Sequence, residues 1–130
     1  MPHVVATDLP VLDPAEIVDS LIGSGESVVV LADVRAVDDI QRCDLALSVG
    51  EAKCGADQGA IGIIAEIASP EGLLALPGFC GRSARLRGVA WNSLGFCRAL
   101  GCEEGSAVAQ HAYFQFVIGA RAAGLPVSGE

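Results

Sequence analysis

Residues 27–49 read SVVVLADVRAVDDIQRCDLALSV, and the change of rhythm inside this stretch decides the fold class. Ser27 to Val34 is an almost unbroken β-branched apolar run, the composition of a strand covered on both faces. From Asp38 to Val49 the apolar positions Ile40, Leu45, Leu47 and Val49 stand in a polar background, as on a helix. A buried strand that runs straight into a helix is one half of a parallel α/β unit, because parallel neighbours need a crossover between them.

The same unit recurs on both sides. Toward the amino end, His3 to Thr7 reads as a strand; a helix follows in which Asp13 caps, Pro14 occupies the first turn, and Ile17, Val18, Leu21 and Ile22 share a face until Gly23 and Gly25 end it. Toward the carboxyl end, Glu51 to Gly59 reads as a loop, Ala60 to Ile67 as a strand, Pro70 to Leu76 as a short helix and Arg85 to Trp91 as the next strand. Leu94 to Leu100 is a helix stopped by Gly101, and Ser106 to Ala123 a longer one stopped by Gly124. Val108, Ala112, Phe116 and Ala120 form a row on the latter, widened by Tyr113 and Val117. Pro126 to Ser128 opens one more strand. The expected fold is α/β with about five parallel strands and crossover helices, as one domain over residues 1–130 without repeats or linkers.

Composition narrows the function classes. The 130 residues are 52% hydrophobic and 18% charged, and 16 acidic against 8 basic side chains give a formal charge of -8. Such a surface repels phosphate backbones and anionic membranes, so neither nucleic acid nor membrane is expected as partner. The start, MPHVVATDLP, lacks the basic and apolar segments of a leader, and no apolar run is long enough to span a bilayer; the expected compartment is the cytoplasm. Five cysteines without a C-x-x-C pair argue against a disulfide framework or structural zinc, although Cys97 and Cys102 are close enough in sequence to share a metal. The bland alternative for both is burial as small hydrophobes. Neither G-x-G-x-x-G nor G-x-x-x-x-G-K-[ST] occurs, so the glycines are punctuation rather than a phosphate loop.

Four segments, VVVLADVRAVDDI at 28–40, IIAEIASPEGLLAL at 63–76, RLRGVAWNSLGFCRALG at 85–101 and IGARAAGLPVSG at 118–129, together resemble the HpcH/HpaI aldolase and citrate lyase β-subunit family. The corresponding family patterns are hhLPKVESAxDh, IIxLIETAxGLL, RLxGLAFGxxDLxxxLG and hAARAAGLPAIDG, in the same order and with similar spacing. The resemblance implies a phosphoenolpyruvate/pyruvate-type TIM barrel of which this chain holds the middle and later strands, since a whole barrel takes about 250 residues. It also implies a magnesium-dependent carbon–carbon lyase acting on acyl-CoA or 2-keto acid substrates.

The departures fall on the chemistry. Asp33 and Arg35 stand where the family has Lys and Glu, Ala68 replaces its metal-binding Glu, and Gly95 replaces its metal-binding Asp. Magnesium requires oxygen donors, which a methyl group and a hydrogen cannot supply. A rebuilt site would use Glu66 and Asp33 as metal ligands, joined by Asp8, with Arg35 holding a carboxylate; the bland alternative is that Arg35 pairs with Asp33 or Glu66 and nothing more. Two residues apart on a strand, Asp33 and Arg35 are expected on one face. Arg82, Arg85 and Arg87 are the only basic cluster, with Arg85 and Arg87 placed to hold acyl-CoA phosphates, or else solvated and paired with Glu103 or Glu104. His3, His111, Ser83 and Ser93 lack the partners a base or nucleophile needs.

Two functions follow. One is a shortened, divergent family member without lyase activity of its own, a pseudoenzyme or remnant that binds an acyl-CoA or carboxylate ligand, or associates with itself or a homologous barrel subunit. The other is an active magnesium-dependent lyase with rebuilt carboxylates. About five strands cannot close an eight-stranded barrel, so exposed edges favour an oligomer or complex.

Overall fold

Parallel strands in sequential order organise the molecule. The computed structural model describes residues 3–5 and 14–128, and in it β1 (His3–Val5), β2 (Val28–Leu31), β3 (Gly62–Ile67) and β4 (Leu86–Trp91) form one sheet in the order β1-β2-β3-β4. Every pairing is parallel, with Val30 opposite both Val4 and Ile64. The connections carry α1 (Pro14–Gly23), α2 (Val37–Cys54) and α3 (Pro70–Ala75), which tightens into a 3-10 turn at Leu76–Phe79; α4 (Ser93–Leu100) and α5 (Ala107–Ala122) follow β4. Neighbouring strands that are consecutive in sequence, each followed by a helical crossover, are the arrangement of a segment of a (β/α)8 barrel. Asp8 and the Asp13 cap lie outside the described residues.

The core lies between sheet and helices. Val29 and Leu31 of β2, Ile63, Ala65 and Ile67 of β3, and Val89 of β4 are fully covered, as are Val18, Leu21, Ile40, Leu76, Phe79 and Phe116. Each such large side chain contributes about 1.5–3 kcal/mol through its removal from water. Trp91 bridges the end of β4 to the last helices, with ring centroids 4.6 Å from Phe96 and 5.0 Å from Phe116.

Several sequence expectations need correction. The run Ser27 to Val34 is a strand only over Val28–Leu31, and Val28 and Val30 are half-buried, so this strand is not sealed on both faces. The strand ends because Asp33 takes a left-handed φ of 51°, a conformation that Asp tolerates better than most non-glycine residues. Helix α2 runs on through Cys54 and absorbs Glu51 to Cys54, expected as loop, before Gly55 stops it at φ 72°. Gly50 makes this continuation fit, since a Cβ there would collide with the Pro14 carbonyl and Val18 of α1. The buried row of α5 is Ala109, Ala112, Phe116 and Ala120; Val108 and Val117 turn outward. The strand expected at Pro126 to Ser128 is a single parallel bridge between Val89 and Val127, held by bonds of 3.0 Å to the Pro126 carbonyl and 2.7 Å from the Ser128 N–H.

Candidate functional site

The carboxyl ends of β2, β3 and β4 converge on Glu66. Its Oε1 accepts the backbone N–H of Asp33 at 3.2 Å and the side-chain amide of Asn92 at 3.4 Å, while its own carbonyl accepts the N–H of Val34 at 2.8 Å. One carboxylate thus ties together the turn after β2, the end of β3 and the start of α4. Asn92 is held by its second role as N-cap of α4, its Oδ1 accepting the Gly95 N–H at 2.9 Å. Ser69 caps α3 in the same way, 3.1 Å from the Gly72 N–H.

Asp33 and Arg35 do meet, though not as alternate residues of a strand. Both lie in the turn, where Nε and Nη2 of Arg35 donate to Asp33 Oδ2 at 3.2 and 3.0 Å. Nη1 of Arg35 reaches Glu71 at 3.2 Å, so the second partner is Glu71 rather than Glu66. The hydrogen bond to Asp33 raises the Arg35 pKa above its ordinary value, and half of the side chain is open to solvent. The other oxygen of Asp33, Oδ1, is buried without a hydrogen-bond partner.

Ala68 and Gly95, the two positions at which the family resemblance implies metal ligands, are neighbours in space. A Cβ built on Gly95 would stand 3.2 Å from the Cβ of Ala68 and 3.1 Å from Nδ2 of Asn92. The two positions are therefore side by side without oxygen donors, and the Asn92 amide lies against Gly95. Among the described residues no group of three or more His, Cys, Asp or Glu side chains is placed to hold a metal ion. Magnesium does not fit the residues at these two positions.

The arginines expected at a phosphate site are at the other end of the sheet. Arg85 precedes β4, is 5% exposed, and has every N–H donor engaged: Nε by Asp44 at 2.7 Å, Nη1 by Glu51 at 2.8 Å and the Ile61 carbonyl at 2.9 Å, Nη2 by Glu51 at 2.6 Å and Ser48 at 2.9 Å. Burial alone would raise the Glu51 carboxyl, but Arg85 and the N–H groups of Ile61 and Gly59 overcome it and hold the pKa down at about 2. The expected partners Glu103 and Glu104 are replaced by Glu51 and Asp44, and Arg85 is a buried hub rather than a solvated strand end. Arg87 does not share its surroundings. It is the extra residue of a β-bulge, since Leu86 pairs with Ile63 and Gly88 with Ile64, and its guanidinium covers Gly62 and points to the carbonyls of Ser27 and Gly59 before β2 and β3. Nε of Arg82 donates to the Gly78 carbonyl at 3.4 Å. Ser83 donates to Asp44 at 2.7 Å, and His111 is exposed beside Gln115.

Asn92 and Glu51 are the residues that sequence reasoning missed. Asn92 stands where the family pattern has glycine, three residues before the substituted ligand position Gly95, and Asn ahead of a helical run is itself a cap signal. For Glu51 the signal was the spacing of Asp44, Ser48 and Glu51, which places three polar groups on one helix face.

Fold and site together define a segment of a parallel α/β barrel whose polar carboxyl-end cluster lacks metal ligands at two adjacent positions. No protein-family model and no curated protein matches the sequence. Solved structures do. The chain is similar to the malate synthase of Haloferax volcanii in its pyruvate/acetyl-CoA complex, at 18% identity and TM-score 0.77 over 97% of this chain and 38% of that one. It is similar also to macrophomate synthase (14% identity, TM-score 0.68, 97% and 52%) and to the citrate synthase SbnG (13% identity, TM-score 0.69, 95% and 54%). These are phosphoenolpyruvate/pyruvate-barrel, lyase-like proteins, the kind to which the sequence motifs point, and the fold of this chain is that of part of such a TIM-like barrel. The chain spans between 38% and 54% of the length of these three solved chains.

Proposed function

We propose that this chain is a divergent form of the lyase-like barrels, spanning 38% to 54% of those named above, that has no metal-dependent carbon–carbon lyase activity of its own and serves to bind. The observation that carries this is that Ala68 and Gly95, neither with an oxygen donor in its side chain, lie side by side with the Asn92 amide against Gly95. A cation that stabilises an enolate needs oxygen ligands at the point where charge develops, and neither position has one. The ligand class is a carboxylate or acyl-CoA. Support comes from Arg35, which presents a half-exposed guanidinium at the carboxyl-end cluster, and from the acetyl-CoA complex of the Haloferax malate synthase. The partner is a second copy or a homologous barrel subunit, and the acidic, cysteine-containing composition favours a cytoplasmic setting. Among the described residues no helix is long and apolar enough to cross a membrane.

Incubation of the purified chain with magnesium and malyl-, citramalyl- or citryl-type thioesters tests the proposal; no turnover above the uncatalysed rate is expected, and a magnesium-dependent rate overturns it. A second reading, a cation site rebuilt on Asp33 and Glu66, is favoured by one observation, the buried and unpartnered Oδ1 of Asp33. It requires magnesium binding that is lost in Glu66→Ala.

A further inference from the structure

Two cysteines meet at the carboxyl end of α4. Gly101 takes φ 85° just past Leu100, and the chain folds back so that the N–H groups of Gly101 and Cys102 both donate to the Cys97 carbonyl, at 2.8 and 3.0 Å. The bond from Cys102 back to Cys97 is the six-to-one bond of a Schellman cap, a geometry that brings the side chains of those two positions together. In most such caps the contact is hydrophobic. Here both positions carry a thiol, so the cap sets Cys97 and Cys102 side by side. Cys97 is 3% exposed and Cys102 is half-buried, so one sulfur faces the core and the other can be reached from solvent.

We propose that Cys97 and Cys102 form a dithiol modification site at the α4 cap, which a hydroperoxide converts into a disulfide. The thiolate of Cys102 attacks the peroxide O–O bond; one oxygen stays on sulfur as a sulfenic acid and the other leaves as hydroxide, which takes up the proton lost by the thiol. Cys97 then attacks the Cys102 sulfur, the S–S bond forms, the S–O bond breaks, and the second hydroxide takes the Cys97 proton. Two thiols and one hydrogen peroxide become one disulfide and two waters. Cys102 is reached from solvent and Cys97 is covered, and burial pushes the Cys97 thiol up, so Cys102 is the first to react and Cys97 the resolving thiol. The other buried cysteine, Cys43, is pushed up to about 12 by its burial and by Asp44, and stays inert. Because Asn92 and Gly95 occupy the opposite end of α4, the disulfide would pin the far end of the helix that fills the candidate site.

Trypsin tests this, because Arg98 lies between the two cysteines. The full chain is treated with hydrogen peroxide, blocked with iodoacetamide and digested without reductant. Peptides 88–98 and 99–121 are expected as one linked species, lighter by two hydrogens than their sum, separating on reduction and exceeding any other cysteine pairing by roughly tenfold, given the selectivity of cysteine oxidation. Cys97→Ser and Cys102→Ser should each abolish it while retaining the wild-type circular dichroism. Overoxidation of Cys102 while Cys97 remains fully alkylated would overturn the proposal, as would linkages through Cys54 or Cys80 as the main products.

Discussion

At the scale of single residues, the strongest electrostatic feature is the pair of Arg85 with Glu51, the latter wholly buried. Either charge alone would be expensive in that place; together with Asp44, Ser48 and the Ile61 carbonyl they satisfy one another. Glu51→Gln is therefore expected to lower the free energy of unfolding by about 3 kcal/mol, the lower end of the range for breaking a buried pair because Asp44 remains, and urea denaturation measures it. The pH dependence has a definite sign. The folded-state pKa of Glu51 is depressed from 4.5 to about 2, so its contribution is complete above pH 4.5 and disappears as pH falls toward 2. Acid titration of stability should show roughly 3 kcal/mol of loss across that window in wild type and a flatter profile in Glu51→Gln. Asn92→Ala removes a helix cap and a donor to Glu66, and should cost about 1 kcal/mol by the same measurement. The partners of Arg85 were hidden from a reading along the strand, because all three side chains come from α2, more than thirty residues earlier.

At the scale of elements, close backbone approaches fix how helices seat. Gly50 lets α2 lie against the start of α1, and Gly72 lets the first turn of α3 rest on the Val34 carbonyl. Gly50→Ala should destabilise the chain by about 1–3 kcal/mol through forced separation of α1 and α2, read as a lower midpoint in thermal unfolding. The strands and helices themselves were legible, because apolar runs of Val and Ile alternate with Ser, Asn and Pro at helix starts and Gly at helix ends. Their limits were not. Nothing local distinguishes Leu31 from Val34 as the end of β2; the left-handed turn at Asp33 is set by its N–H bond to Glu66, a residue on another strand. The outward turn of Val108 and Val117 likewise depends on where Phe116 finds Trp91, a tertiary contact that helical spacing alone does not supply.

At the scale of the whole molecule, the described residues form four parallel strands in sequence order, an open sheet, in a chain that covers only 38% to 54% of the solved barrels named above. Helix α5 turns Phe114 and Ile118 to solvent at 61% and 67% exposure. An open sheet together with an exposed apolar helix face favours association, so size-exclusion chromatography with light scattering should show a dimer or larger species, weakened by Ile118→Glu; a stable monomer at high concentration would contradict it. The neighbourhood of the candidate site was legible from the family motifs, which single out Ala68 and Gly95, and the structure sets those two side by side. The role of Asn92 was not, since it depends on three elements meeting at Glu66. Whether that meeting has displaced a metal site is tested most directly by isothermal titration of the wild-type chain with magnesium. The expected result is no saturable heat; saturable binding that disappears in Glu66→Ala would contradict the account.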